Sequence, residues 1–297
     1  MKRKYIALLV LTSVFCSCKD NEIFEKEMYK NVVALISTDY YNTFEEVVPL
    51  TGQEVTGYIV ASVGGTHAPS KDMIIEIQED QEPLDKYNWA LFDADEKLYA
   101  KMLSKDKYEI ANYKIQINAG ERTGRTMVTL QPDGLSPDST YFIGLKAKDV
   151  SGAEINPEKN TILYQVLIKN DYASQAQDNF YSMTGLVDSM VTAANKEMFP
   201  LTRTTTRVIA GTETFERNEE DIYKTSIVLQ VNEDKTVTIK PYGDIQVRQI
   251  DGDHLYPNTF TLEESYGRKF NVFLLSYEYT IGETTHLMKE RLEIQIK

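Results

Sequence analysis

Cysteine is nearly missing from this chain: there are two in 297 residues, Cys16 and Cys18, and none afterwards. Beyond residue 18 no disulfide can form within the chain and no thiol is present for catalysis or metal binding. Histidine is as sparse, with three residues at positions 67, 254 and 286. Their spacing fits no metal site. No Gly-x-Ser-x-Gly elbow and no glycine-rich phosphate loop occur, which removes two common signatures of nucleophilic and nucleotide chemistry. No apolar run reaches the roughly 20 residues that a bilayer-spanning helix needs. Positive charge is in deficit, with 32 Lys and Arg against 45 Asp and Glu, for a net charge of −13. Such a body is repelled by phosphate backbones, which argues against a nucleic-acid partner.

The one apolar run that stands out is at the start. Lys2, Arg3 and Lys4 precede residues 5–15, an apolar stretch broken only by Thr12 and Ser13. A basic start followed by a short apolar run reads as a secretory signal peptide, here residues 1–17. Ser17 is small enough to precede the cut, whereas Cys16 follows the bulky Phe15. Phe15-Cys16-Ser17-Cys18 resembles a bacterial lipobox, although Phe15 stands where Leu is usual. In that motif the last cysteine is acylated and becomes the first residue of the mature chain. Acyl chains contribute about 0.8 kcal/mol per buried CH2, so several on Cys18 would hold the chain stably at a membrane. Loss of Lys2, Arg3 and Lys4 takes the formal charge to about −16, so an anionic membrane surface would repel the body and the lipid must do the holding. Residues 18–29 read as a charged tether.

The remainder has material for real cores: 42% hydrophobic residues, with 19 Tyr and 11 Phe. Period-two patterning predicts strands at 31–37, 54–63, 72–78, 113–118, 125–130, 141–148 and 161–169. Residues 113–118 are the clearest, with Tyr113, Ile115 and Ile117 on one side and Lys114, Gln116 and Asn118 on the other. Seven short strands, read as antiparallel with one wet face, predict an immunoglobulin-like β-sandwich over 30–169. Residues 81–103 break the pattern and read as an irregular excursion with a short helix. Residues 170–179 are polar and read as a linker. The second half, 180–297, predicts strands at 180–186, 206–211, 223–231, 236–241, 244–250, 259–262, 270–280 and 286–297. Two hairpins are marked, one by Asn232-Glu233-Asp234-Lys235 and one by a loop holding Gly282. This half reads as an antiparallel β-barrel or second sandwich, so the fold class is all-β. In the last strand Glu290 falls on the apolar side and demands a partner there.

The chain resembles two-domain Bacteroidetes-type surface lipoproteins, built of an N-terminal immunoglobulin-like domain and a C-terminal β domain, both of unknown function. Six stretches carry the likeness. Cys18-Lys19-Asp20-Asn21-Glu22 is similar to the surface-export signal, with Asn21 where an acid is usual. Tyr108-Glu109-Ile110 followed by Ile115-Gln116-Ile117-Asn118-Ala119-Gly120 is similar to a strand and turn of the first domain. Tyr256-Pro257-Asn258-Thr259-Phe260, the run from Phe273 to Tyr279, and Lys289-Glu290-Arg291-Leu292 are similar to the closing strands of the second. The resemblance implies a lipid-anchored protein of the outer membrane, facing the cell exterior, associated with polysaccharide uptake. Its implied partners are a polysaccharide or oligosaccharide and an outer-membrane transporter complex. It implies no cofactor and supplies no ligand residues, so any site must be argued from chemistry.

Sugar rings stack on flat apolar faces edged by polar groups. Tyr87, Asn88 and Trp89 lie in the irregular excursion beside Asp85 and Asp93, and are the first candidate for glycan contacts. The duller reading, that Trp89 plugs the top of the sandwich core, is preferred at this point. Tyr40-Tyr41-Asn42 is a second, weaker candidate. Tyr266, Tyr277 and Tyr279 read as strand packing. Asp251-Gly252-Asp253 and Asp93-Ala94-Asp95-Glu96 have calcium-binding oxygens but read as turns, so no metal is expected. Arg203, Arg207 and the stretch 202–206 read as a solvated strand face. No catalytic residue is assigned. A glycoside-hydrolysing carboxylate pair is defined by its separation, which 45 acids in a sequence do not give. The expectation is a non-enzyme that binds glycan or assists uptake; the alternative is an adhesin or fimbria-type subunit.

Overall fold

The computed structural model describes residues 29–176, 179–214 and 218–296. Cys18 and its neighbours Lys19, Asp20, Asn21 and Glu22, like the signal peptide, lie outside the described residues. About 54% of the structure is strand and 9% helix, in two all-β domains.

The first domain is a sandwich. One sheet has the order β10 (Glu154–Ile155), β1 (Val32–Leu35), β3 (Val55–Gly64), β8 (Thr123–Leu130), β6 (Tyr108–Ile110). The other runs β2 (Thr43–Pro49), β11 (Thr161–Lys169), β9 (Tyr141–Val150), β4 (Met73–Glu79), β7 (Lys114–Ile117), with β5 (Lys101–Met102) beside β9. The expected alternation holds where one face is wet. In β3, Ile59, Ala61 and Val63 are buried while Tyr58 points out. In β7, Ile115 and Ile117 are buried between Lys114 and Gln116. Each such fully buried aliphatic contributes about 1.5–3 kcal/mol relative to exposure.

Two expectations for this domain need correction. The strands are not all antiparallel: β1 pairs β10, β2 pairs β11 and β5 pairs β9 in parallel. Strand β2 itself went unread, because Glu45 and Glu46 interrupt its apolar pattern. Glu46 earns its place by accepting a hydrogen bond from the buried Tyr164 hydroxyl at 3.0 Å. Strands β9 and β11 are buried on both faces, and Phe142 and Leu163 on the outer side belong to a separate small core. Helix α1 (Glu82–Phe92) covers that side. It is the short helix expected in the excursion over residues 81–103.

The second domain is a nearly closed barrel. Its strands are β12 (Phe180–Val187), β13 (Met190–Pro200), β14 (Thr205–Ile209), β15 (Ser226–Val231), β16 (Val237–Pro241), β17 (Gln246–Gln249), β18 (Thr259–Ser265), β19 (Arg268–Ile281) and β20 (Thr284–Ile296). They follow the order β16-β15-β14-β13-β12-β20-β19-β17, with β18 also on β19. The open seam is stitched. Val237 donates its backbone N–H to Asn258 at 2.8 Å, and Phe260 donates to Lys235 at 2.9 Å. The Ile239 N–H donates to the Gln249 side chain at 2.8 Å. Closure leaves few exposed edges for another chain to pair with.

Three features depart from expectation here. Residues 223–225 are not strand: helix α2 (Glu219–Thr225) precedes β15. Asn218 caps it by accepting from the Asp221 N–H at 2.9 Å, and its first turn is acidic, which suits the helix dipole. Strand β13 was unread because its first six residues bury nothing and show no alternation. The segment read as a linker is bound into the structure. Tyr172 and Ala173 are buried in the second core. Asn170 accepts from their N–H groups at 2.9 and 2.8 Å and donates to the carbonyls of Thr202 and Thr205 at 2.7 and 2.9 Å.

The domains are also latched by charge. Arg207 on β14 is fully buried and ion-pairs with Asp138 of the sandwich. Tyr242 donates its hydroxyl to the same carboxylate at 2.9 Å, and the guanidinium lies 4.2 Å from the Phe199 ring centroid. Arg207 is therefore not on a solvated strand face, whereas Arg203 is exposed. Among the described residues no helix is long and apolar enough to cross a membrane.

Candidate functional site

Helix α1 begins where Asp80 accepts the Glu82 N–H at 3.0 Å and Pro83 occupies its first turn, a position that suits proline. Its inner side rests on the sheet through Leu84, which packs with Ala100, Phe142 and Leu163. Asn88 is buried and committed. It donates to the Ala100 carbonyl and accepts from the Ala100 N–H, both at 2.9 Å. The amide thus ties the returning chain to the helix and is buried away from any ligand, which removes Asn88 from the glycan candidates.

Tyr87 is half-buried and central. Its ring meets Phe142 edge-on at 5.1 Å, Tyr41 at 5.4 Å and Phe92 at 6.4 Å. Tyr41 in turn meets Tyr40 at 5.1 Å. The two candidate aromatic segments, far apart in sequence, are therefore one aromatic cluster running from the buried Phe142 to the exposed Tyr40. Burial, with Asp39 adding to it, raises the pKa of the Tyr87 phenol, so this group stays neutral and acts by packing. Asn42 at the end of the second segment is structural: it is buried and donates to the Glu158 carbonyl at 2.9 Å.

Trp89 does not plug the core. It is 63% exposed on the outer side of α1. Residues three or four apart share a helix face, so Asp85 and Lys86 flank it on one side. Asp93, which ends the helix and donates its N–H to the Trp89 carbonyl at 3.0 Å, flanks it on the other. Leu91 and Leu98 are also exposed nearby in the chain. The result is an exposed indole on a helix fixed to a rigid sheet, sharing its face with Asp85, which accepts from the Gln81 amide at 3.2 Å, Lys86, which pairs with Glu82 at 2.7 Å, and Asp93.

Other candidates resolve as architecture. Asp253 accepts from the N–H groups of Leu255 and Tyr256 at 2.9 and 3.1 Å and pairs with Lys289 at 2.6 Å, the pattern of a turn. Among the described residues no group of three His, Cys, Asp or Glu is placed to hold a metal. Tyr277 and Tyr279 are buried packing groups, whereas Tyr266 is fully exposed at a hairpin tip. Glu290 finds the partner that its position demanded. It is fully buried, ion-paired to Lys196 and bonded by the Tyr277 hydroxyl at 2.7 Å. Lys196 also donates to the Ile209 carbonyl at 3.1 Å, and Tyr277 accepts from the Gly211 N–H at 2.9 Å. Gly185 stands opposite Glu290, where any Cβ would strike the Lys289 carbonyl. Sequence reasoning missed Lys196, which lies on the unread strand.

A family model described as an N-terminal domain matches residues 24–154, and one described as a C-terminal domain matches residues 160–293. No curated protein matches the sequence. Several solved structures share the architecture. A protein of unknown function from Bacteroides ovatus is 17% identical, with a TM-score of 0.69 over 89% of this chain and 94% of that one. A second from the same organism is 15% identical, with a TM-score of 0.65 over 93% of each chain. A protein from Bacteroides thetaiotaomicron described as an auxiliary nutrient binding protein is 13% identical, with a TM-score of 0.63 over 86% of this chain and 91% of that one. The chain is thus a two-domain protein of a build found in Bacteroides, and at these identities the likeness speaks to fold alone.

Proposed function

We propose that this protein is a non-catalytic glycan-binding lipoprotein of the outer membrane. It is anchored through acylated Cys18, faces the cell exterior, and serves a polysaccharide-uptake complex beside a transporter. The observation that carries the reading is Trp89, 63% exposed on a helix clamped to the sandwich. A pyranose ring stacks its C–H face on the indole while its hydroxyls donate to Asp85 and Asp93 and accept from Lys86. Tyr87, Tyr41 and Phe142 hold the helix from behind, so little ordering is required on binding. The nutrient-binding description of one relative in fold supplies context and no residue. The acidic body suits an anchor made by lipid rather than by a basic surface.

Affinity electrophoresis of the full-length protein in detergent, through gels containing neutral polysaccharides, tests the reading. The expected result is retardation by at least one polymer, lost in Trp89→Ala, with no reducing ends released. Retardation unchanged in Trp89→Ala overturns the site; none across a broad panel overturns the function. Mass spectrometry of the native chain tests the anchor: a first residue without acyl mass contradicts it.

A further inference from the structure

The two domains meet beside a cleft of about 380 Å³ that the α1 site does not touch. That volume falls within the usual span for small-ligand sites, and domain junctions are where such sites concentrate. Thr51 and Gln53, after β2, and Lys169, ending β11, come from the sandwich. Arg203, in the turn between β13 and β14, comes from the barrel. Asn170 and Asp171, in the connecting segment, complete the lining. The Asn170 amide is fully engaged with backbone groups on both sides, so it builds the floor.

Lys169 and Arg203 are different. Both are exposed, they approach from opposite domains, and neither side chain has an ion-pair or hydrogen-bond partner among the described residues. Two cations from different domains thus line one cleft in a chain whose net charge is −13. Asp171 lines the same cleft without pairing to either, leaving its carboxylate open to accept a hydroxyl. Thr51 and Gln53 add groups that both donate and accept. Cations for an anionic group, with hydroxyl partners around them, match one ligand class.

We infer that the interdomain cleft is a second binding site, for an anionic sugar unit whose carboxylate or sulfate lies between Lys169 and Arg203. Its hydroxyls bond to Asp171, Thr51 and Gln53. The site draws on both domains, so the Arg207–Asp138 latch that fixes their orientation also fixes its width. The inference stands apart from the reading of α1 and does not depend on it.

The test is affinity electrophoresis of the full-length protein against polygalacturonate, which carries carboxylates, dextran sulfate, and uncharged dextran. Polygalacturonate or dextran sulfate is expected to retard the wild type, and the polymer that does so identifies the anionic group. Lys169→Gln with Arg203→Gln is expected to weaken that binding by about tenfold or more, since each charged hydrogen bond is worth more than a neutral one. Lys97→Gln with Lys148→Gln makes the same change in net charge at exposed positions away from the cleft, and retardation is expected to persist. Three results overturn the inference: no retardation by either anionic polymer, equal loss in both double variants, or no loss in the cleft variant. Failure of the α1 site is read separately, from neutral polymers and Trp89→Ala.

Discussion

The two domains handle polar groups in opposite ways. The sandwich core is almost wholly aliphatic, with Tyr164 bonded to Glu46 as its main polar feature, and its aromatic chemistry is turned outward onto α1. The barrel encloses charge: Lys196 and Glu290 meet inside it, and Arg207 is buried where it meets the sandwich. A buried ion pair is weak evidence for net stability but is costly to break, so such groups fix which strands face each other. The difference teaches a division of labour. The sandwich carries the proposed binding surface on the helix that covers its sheet, and the barrel's interior charges set register and hold the domains together.

The sharpest way to break this comparison is to remove half of the interior pair. Glu290→Ala strands the Lys196 ammonium in the barrel and is expected to cost about 3–5 kcal/mol in denaturant unfolding. Replacing both partners by apolar residues should restore much of that loss; a barrel indifferent to Glu290→Ala contradicts the role given to the pair. Asp138→Ala comes next, at about 2 kcal/mol, because water reaches the carboxylate side of that pair. It should also separate one thermal unfolding transition into two, since it cuts the latch between domains.

Alkaline pH sharpens the comparison without mutation. Burial raises the phenol pKa values of Tyr181, Tyr277 and Tyr279 in the barrel, with Glu290 adding to the shift at Tyr277 and Glu213 at Tyr279. In the sandwich it raises Tyr164 as well, and Tyr108 to about 12. A phenol whose folded pKa exceeds its unfolded value near 10 contributes stability that is whole below that pH and is lost as pH rises through it. Lys196, pulled below its ordinary value by burial, acts in the opposite sense but is one group against several. Thermal melts are expected to hold up to about pH 9 and fall steeply above about pH 10. A flat profile to pH 11 would be inconsistent with neutral buried phenols. The smallest stability effect belongs to Trp89→Ala, expected within about 0.5 kcal/mol because the ring is exposed. A large drop in melting temperature there would make Trp89 a core residue after all.

Legibility followed the number of wet faces. Strands β3 and β7 each show one face to water, so their alternation was plain in the sequence. Strands β2 and β13 were hidden, one by paired glutamates and the other by a stretch of Thr, Ala and Asn that buries almost nothing. The oddity of Glu290 was readable as a carboxylate on an apolar face, but its partner was not, because Lys196 lies on an unread strand and 94 residues away. Helix α2 was masked by the apolar run that follows it. The aromatic cluster was half legible. Both of its segments stood out, yet composition does not say which way a ring points, and Trp89 and Tyr87, two residues apart on one helix, face opposite ways.

Trp89 is the only tryptophan in the chain, so its fluorescence reports on the proposed site alone. Emission is expected to be that of a water-exposed indole, and to shift to shorter wavelength, saturably, as a retained neutral polysaccharide is titrated in. An emission already blue without ligand, or one that stays fixed while the glycan binds, would contradict the site.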